Sequence, residues 1–422
     1  MNARRPALLI AIALTTLAAA CTDPNDPGNG TTTTASPTSS SSTSSTSSTS
    51  TSSTTVPTPP QGVTRLASGG VASAAVISRN GRYVAYVSTS PTPGVDANGG
   101  ETDVFLIDRQ ASTTTRVSGG NGASDSPSVA DDGSVVFRSA SSDLGGPGDT
   151  NGHVDAFRWT TAGVTRITDS PADVVSPLVS ADGTSVVFGG PEALTVSGGS
   201  NRTQTFMWHA ATPGSLTLLA AVGPDGSVPL SVTTNGDRVL LGEPGRLSVH
   251  DGASATQIAA APASPPAPQV STFAVAPHAL ADDGDAAFAE VTYSYDSGTG
   301  VVSFVSGTAR RWDRQTAAVS TLGLSGVPAG PVLSADGRHA VYADMTAVAV
   351  DQDDVGTFLR GAIRSYDTTL DTTVTVAGAA QASFGTVSAD GRYVAFVSTD
   401  TTLAPADPTP TLPDVYLWDR GP

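Results

Sequence analysis

Ser388-Ala389-Asp390-Gly391-Arg392-Tyr393-Val394-Ala395-Phe396-Val397-Ser398 is the sharpest copy of a unit that the chain repeats. An apolar run, a Ser/Ala-x-Asp/Asn-Gly turn and a second apolar run recur seven times. The turn glycines are Gly81, Gly133, Gly183, Gly236, Gly284, Gly337 and Gly391, spaced 48 to 54 residues apart. A period near 50 residues belongs to propeller blades or to a solenoid.

Each unit reads as four strands. The first ends at Ile77, Val129, Val179, Val232, Leu280, Leu333 or Val387. The Asn-Gly or Asp-Gly turn follows, because glycine tolerates the positive φ that a tight hairpin demands. The second strand carries a large side chain four or five positions on: Tyr86, Phe137, Phe188, Leu241, Phe288, Tyr342 and Phe396. The matched position of the third strand holds Ile107, Trp159, Trp208, Val249, Trp312, Tyr366 and Trp418, so all four tryptophans occupy one place in the repeat. Burial of large rings between neighbouring blades explains that placement. Thr115-Arg116-Val117 and Thr165-Arg166-Ile167 mark the fourth strand.

The seventh unit stops at Arg420, before its fourth strand, and Gly62-Val63-Thr64-Arg65-Leu66 reads like Gly163-Val164-Thr165-Arg166-Ile167. An N-terminal strand that completes the last blade closes a ring and removes the open sheet edge. A solenoid needs capped ends instead. The expected fold is therefore an all-β, seven-bladed β-propeller over residues 62–422.

The Ser388–Ser398 unit and Asp103-Val104-Phe105-Leu106-Ile107-Asp108-Arg109 resemble the TolB-type, WD40-like propeller repeat found in bacterial envelope proteins. The resemblance spans about residues 62–422 and implies fold rather than activity. TolB joins a six-bladed propeller to an N-terminal α/β domain. This chain has seven units and lacks that domain, so a Tol-system role does not follow.

Residues 1–20 read as an export signal, with Arg4 and Arg5 ahead of the apolar run Ala7–Ala20, which is too short to span a bilayer comfortably. Leu17-Ala18-Ala19-Ala20-Cys21 looks like a bacterial lipobox, although leucine usually stands where Ala18 does. Cys21 is the sole cysteine, which makes it the expected lipidation site and excludes disulfides within the chain. Residues 22–61 are nearly all Ser, Thr, Pro, Gly, Asn and Asp, too polar to offset the entropy of ordering, so 21–61 is expected to be a lipidated, disordered tether. Forty residues of flexible coil span roughly 35 Å. The folded part is thereby expected at the outer face of the cytoplasmic membrane or in the envelope, held by its lipid alone.

Of 422 residues, 44 are glycine and 30 proline, which suits many short strands joined by turns. The net charge is −17 and every basic residue is arginine. An acidic surface repels phosphate backbones and argues against nucleic acid as a partner.

The segments between second and third strands, roughly 89–102, 140–154, 189–203, 344–361 and 399–413, are long and variable, so function is expected on that face and at the channel mouth. Two of them share a pattern: Asp96-Ala97-Asn98-Gly99 before Asp103, and Asp149-Thr150-Asn151-Gly152 before Asp155. Alternating Asp and Asn oxygens around a glycine bend suit a hard cation such as Ca²⁺. The same residues suit an Asx-turn whose last Asp bonds the strand start. Asp414 stands at that strand start in the seventh unit without the preceding motif, which favours the structural role. The Asp that closes the third strand (Asp108, Asp251, Asp313, Asp367, Asp419) recurs too often for a catalytic group and suits a turn or inter-blade hydrogen bond.

Catalytic motifs are scarce. The histidines, His153, His209, His250, His278 and His339, fall in different units, with no His-x-x-x-His pair and no Gly-x-Ser-x-Gly elbow. The expected function is a non-catalytic, monomeric binding module that presents a rigid loop face to a protein, peptide or glycan. A polysaccharide-acting lyase or hydrolase with a channel-mouth site, and a structural envelope component, are the alternatives.

Overall fold

The structure, a computed structural model, describes residues 62–94, 97–146, 148–195, 202–219, 225–260, 269–295, 302–353, 356–404 and 412–421. The export signal, Cys21, the tether and Asp96 lie outside these residues.

The repeat folds as a seven-bladed β-propeller. Blades 1 to 5 are separate four-stranded antiparallel sheets. Their inner strands are Ala72–Ile77, Ser124–Val129, Val175–Val179, Val228–Val232 and Gln269–Ala274. Blade 6 begins with Pro328–Leu333, and its outer strand runs on without a break, as Thr372–Val387, into the inner strand of blade 7. Blades 6 and 7 therefore form one continuous seven-stranded sheet.

The ring closes on Val63–Ala67, which pairs antiparallel with Asp414–Asp419 through Val63↔Trp418, Thr64↔Leu417, Arg65↔Tyr416 and Ala67↔Val415. Val63 packs on the core shared by blades 5, 6 and 7, while Leu66 and Ala67 pack on the one between blades 7 and 1.

The cores lie between blades because each sheet buries both faces against its neighbours. The tryptophans face the preceding blade. Trp208 is buried with Ala130 and Val136 of blade 2, Trp312 with Leu230 and Leu240 of blade 4, and Trp418 with Val341 and Ile363 of blade 6. Trp159 is half-buried against the cluster containing Val76 and Leu106 of blade 1.

A second aromatic register, hidden in the sequence by unequal loop lengths, pairs second and third strands within a blade. Tyr86 stacks on Phe105 (5.2 Å between centroids), Phe137 on Phe157 (5.9 Å), Phe188 on Phe206 (5.8 Å) and Phe396 on Tyr416 (5.7 Å). Blades 5 and 6 put Arg310 and Arg364 opposite Phe288 and Tyr342, and these guanidiniums pair with Glu290 (3.0 Å) and Asp344 (2.8 Å).

Two expectations need correcting. Leu280 does not end the inner strand of blade 5. That strand stops at Ala274, residues 275–279 leave the sheet, and Leu280 makes only an isolated bridge to Ala286. The segment 344–361 is no loop either, because the strands His339–Asp353 and Gly356–Asp367 continue as a ribbon paired up to Asp353↔Gly356. β-Branched Thr346, Val348, Val350 and Thr357 favour extended backbone on both arms.

The turn glycines serve packing as well as conformation. Gly81 has φ +73°, and a Cβ built on it would stand 2.8 Å from the Tyr393 ring of blade 7; Gly133, at φ +83°, meets Tyr83 of blade 1 in the same way. Gly81→Ala is expected to cost about 2 kcal/mol, combining left-handed strain with the displaced ring. Urea unfolding measures it, and a change below about 0.5 kcal/mol would show that the ring gives way freely.

Candidate functional site

The blade ends differ sharply in how they are held. At the turn end, backbone bonds tie one blade to the next. Asp131 N–H donates to Ala181 O (2.7 Å), Asp182 N–H to Thr234 O (2.9 Å), Ala335 N–H to Ala389 O (2.8 Å) and Ala389 N–H to Arg79 O (2.6 Å). Asn80 N–H reaches the Asp131 carboxylate (2.7 Å), and Thr234 N–H reaches that of Asp282 (3.0 Å). Hydroxyls join neighbouring blades nearby, with Ile77 N–H donating to Thr386 Oγ1 (2.9 Å), Val179 N–H to Ser128 Oγ (3.0 Å) and Leu280 N–H to Ser231 Oγ (3.0 Å). The opposite end carries the second-to-third connections and is the face free to vary.

On that face the blade-2 loop gathers oxygen ligands. Asp149 Oδ1 accepts from Asn151 N–H (2.9 Å), and Asn151 Oδ1 accepts from His153 N–H (2.7 Å), two successive Asx-turns. Asn151 Nδ2 donates to Asp155 (3.2 Å) and to Asp169 (2.8 Å). Asp155 is buried at the start of the third strand, where it accepts from Thr168 Oγ1 (2.6 Å) and Ser170 N–H (2.9 Å). Burial nevertheless raises its pKa above the ordinary carboxylate value, outweighing those bonds.

Asp149, Asp155 and Asp169 each bring one carboxylate oxygen within 4.8 Å of the others. Arg166 stands 3.7 Å from Asp149 and 3.9 Å from Asp169, so one guanidinium balances three carboxyl groups. An all-oxygen donor set with excess negative charge fits a hard divalent cation. Asp169 was not legible in the sequence, since it comes from the segment after the outer strand, where the matching blade-1 residue is Gly119.

The sister loop in blade 1 does not assemble this way among the described residues. Asp103 is buried, accepts from Ser118 Oγ (2.9 Å) and pairs with Arg116. Asn98 turns its amide toward Gly122 O (3.5 Å). Blade 7 repeats the arrangement with Asp414 fully buried and Arg65 at 3.3 Å. The Asp at the strand start thus has a recurring architectural partner in the outer-strand arginine, which blade 2 redirects to Asp149.

The Asp closing the third strand bonds within its own blade. Asp108 accepts from Arg82 (2.9 and 2.6 Å) and from the turn amides of Gln110 and Ala111. Arg338–Asp367 and Arg392–Asp419 repeat the pair.

The histidines do not converge. His153 faces Asp173 (3.2 Å) on the loop side, His209 bonds Ser185 (3.1 Å), and His250 accepts from Gly252 N–H (3.1 Å). Among the described residues, the carboxylates of blade 2 are the one group of His, Cys, Asp or Glu with metal-ligand spacing.

This architecture defines the class of protein, a seven-bladed β-propeller. No protein-family model and no curated protein matches the sequence. Solved structures of similar fold include an oligogalacturonate lyase from Vibrio parahaemolyticus, 12% identical, covering 85% of this chain and 93% of that one at a TM-score of 0.53. An oligogalacturonate lyase in complex with manganese is 13% identical over 85% and 92%, at 0.51. The propeller domain of the Trilobed protease from Pyrococcus furiosus, described as having an open velcro topology, is 11% identical over 84% and 97%, at 0.51. At these identities the likeness is one of fold.

Proposed function

We propose that this chain is a TolB-type propeller that acts as a non-catalytic binding module, anchored to the cell envelope through Cys21 and working through its loop face on a protein, peptide or glycan. The carrying observation is the contrast between the two ends of the blades. One is tied turn to turn between most neighbouring blades, whereas the other bears connections that differ from blade to blade. These range from the two-residue Pro244-Gly245 turn of blade 4 to the long strands of blades 5 and 6, Ala286–Tyr295 with Val302–Asp313 and His339–Asp353 with Gly356–Asp367. A rigid ring with a variable face is the usual arrangement of a recognition platform. The scattered histidines fit binding better than proton transfer.

Asp149, Asn151, Asp155 and Asp169 are proposed to hold a divalent cation, Ca²⁺ by the chemistry of its donors, that stiffens the blade-2 loop. Calorimetric titration of the protein with Ca²⁺ and Mn²⁺ tests this. Saturable uptake is expected, weakened at least tenfold in Asp149→Asn, and no heat with either metal would remove the cation from the proposal.

Glycan and peptide arrays probed with the Cys21→Ser protein, alongside incubation with oligogalacturonates and Mn²⁺, test the function. The expected result is saturable binding without turnover. Formation of unsaturated uronate products would overturn the non-catalytic reading in favour of a lyase.

A further inference from the structure

We propose that Arg79 of blade 1 and His278 of blade 5 form a lock across the propeller axis, released when His278 takes up a proton.

The geometry rests on contacts between blades that are not neighbours. Arg79 stands between the inner strand and the Asn-Gly turn of blade 1, yet its guanidinium lies 3.8 Å from Asp282 of blade 5. His278 of blade 5 lies close enough to the Val387 backbone of blade 7 for that carbonyl to act on its charge. In a seven-membered ring, blades 1 and 5, and blades 5 and 7, can meet only across the central channel. Arg79 and His278 therefore both reach toward that channel at the turn end.

Blade 5 is built to deliver the histidine. Its inner strand leaves the sheet after Ala274, and Ala276-Pro277-His278-Ala279 forms a turn in which Ala279 N–H donates to Ala276 O (3.2 Å). His278 takes φ +69° there, a left-handed conformation that favours glycine or asparagine at this position of a turn after proline. The ring is thus held on the axis at the expense of backbone strain.

The lock is polar and poorly satisfied. Arg79 is 7% exposed, and among the described residues neither terminal nitrogen has a hydrogen-bond acceptor; His278 Nδ1 is likewise shielded and without a partner. The 3.8 Å gap to Asp282 is too long for a hydrogen bond. The charged groups facing His278 are Arg79 from blade 1 and Asp282 from the Asp-Gly turn of its own blade, while Asp131 of blade 2 acts on Arg79. Asp131 is itself pushed toward its neutral form by burial, and Asp282 already accepts from Thr234 N–H. A second cation on the axis would stand beside Arg79 with little to balance it.

Burial first, and then the Arg79 charge, hold the His278 pKa down to about 3 from 6.5. An opened lock would restore the ordinary value. In this window the open form binds the extra proton, so closure is complete above about pH 6.5 and weakens as pH falls. The open-to-closed ratio should rise about tenfold per pH unit between those two values. Opening frees the inner ends of blades 1, 5 and 7 at the face opposite the loops.

Hydrogen exchange on the whole protein from pH 7 to 4.5, corrected for the intrinsic pH dependence of exchange, reads the lock directly. Peptides covering 74–82, 276–283 and 384–391 are expected to lose protection about tenfold per pH unit, while the blade-2 strand 155–160 keeps its own. His278→Gln, which retains an N–H donor but cannot become a cation, is expected to abolish the slope. Equal slopes in wild type and variant, or a wild-type slope shared by 155–160, would overturn the proposal. Should the variant not fold, the contrast between axial and blade-2 peptides in the wild type decides alone.

Discussion

Deleting residues 62–67 is expected to abolish the closed propeller rather than merely weaken it. The deletion takes away the outermost strand of blade 7, with its ladder to Asp414–Asp419, and exposes the edge it covered. It uncovers the apolar surface under Val63, Leu66 and Ala67 on two separate core clusters. It also removes the Arg65 guanidinium from Asp414, a carboxylate with no exposure at all. Losing one partner of a buried ion pair costs about 3–5 kcal/mol by itself. Added to a lost strand, that rivals the roughly 5–15 kcal/mol that holds a typical domain together. The shortened protein should elute as aggregate on size exclusion and lack a cooperative thermal transition. A monomer melting within about 3 °C of the full chain would mean that the remaining strands of blade 7 hold the ring unaided. Arg65→Met, which keeps the strand, should fall between the two.

The ring was legible because its signals are local. A glycine turn appears wherever the hairpin needs positive φ, and a large apolar side chain, tryptophan in four blades, reappears at the same depth. Seven repetitions turned these weak cues into a register, and Val63–Ala67 could be placed by likeness to another outer strand. Features that depend on neighbours in space stayed hidden. The aromatic stacks within blades are obscured by connections that range from a two-residue turn in blade 4 to the long ribbon of blade 6. Proline and serine in Ser126-Pro127 and Ser176-Pro177 gave no hint that inner strands carry bulges there, with register shifts at Asp125/Ser128 and Val175/Leu178. Nothing in Pro277-His278 signals an axial position, because the partners, Arg79 and Val387, are about 200 and 109 residues away in sequence.

The candidate cation site shows the same division. Asp149, Asn151 and Asp155 could be read together because one loop carries them, whereas Asp169 joins them only through the return of the outer strand. The motif in blade 1 looked equivalent but lacks that last carboxylate, since Gly119 occupies the position. One absent side chain thus leaves Asp103 to its arginine.

Arg116→Met is expected to destabilise the protein by about 3–5 kcal/mol, although it lies in an outer strand whose other residues are largely exposed. Arg116 is nearly buried, donates to Ser90 O (2.9 Å) and Pro93 O (3.2 Å), lies over the Phe105 ring at 5.1 Å and pairs with Asp103. Methionine preserves much of the stem's packing, so the loss reports mainly on the charge left behind. Asp103 would keep the neutral donor Ser118 Oγ while remaining 1% exposed. The decisive comparison is the double substitution Arg116→Met with Asp103→Asn. Asparagine removes the stranded charge and still accepts from Ser118, so the double variant should recover at least half of the loss. That non-additivity is what a buried ion pair produces and a simple packing defect does not. Urea unfolding of the three variants against wild type provides the cycle. Strict additivity would mean that Arg116 acts through its stem and its backbone contacts, with Asp103 solvated well enough to stand alone.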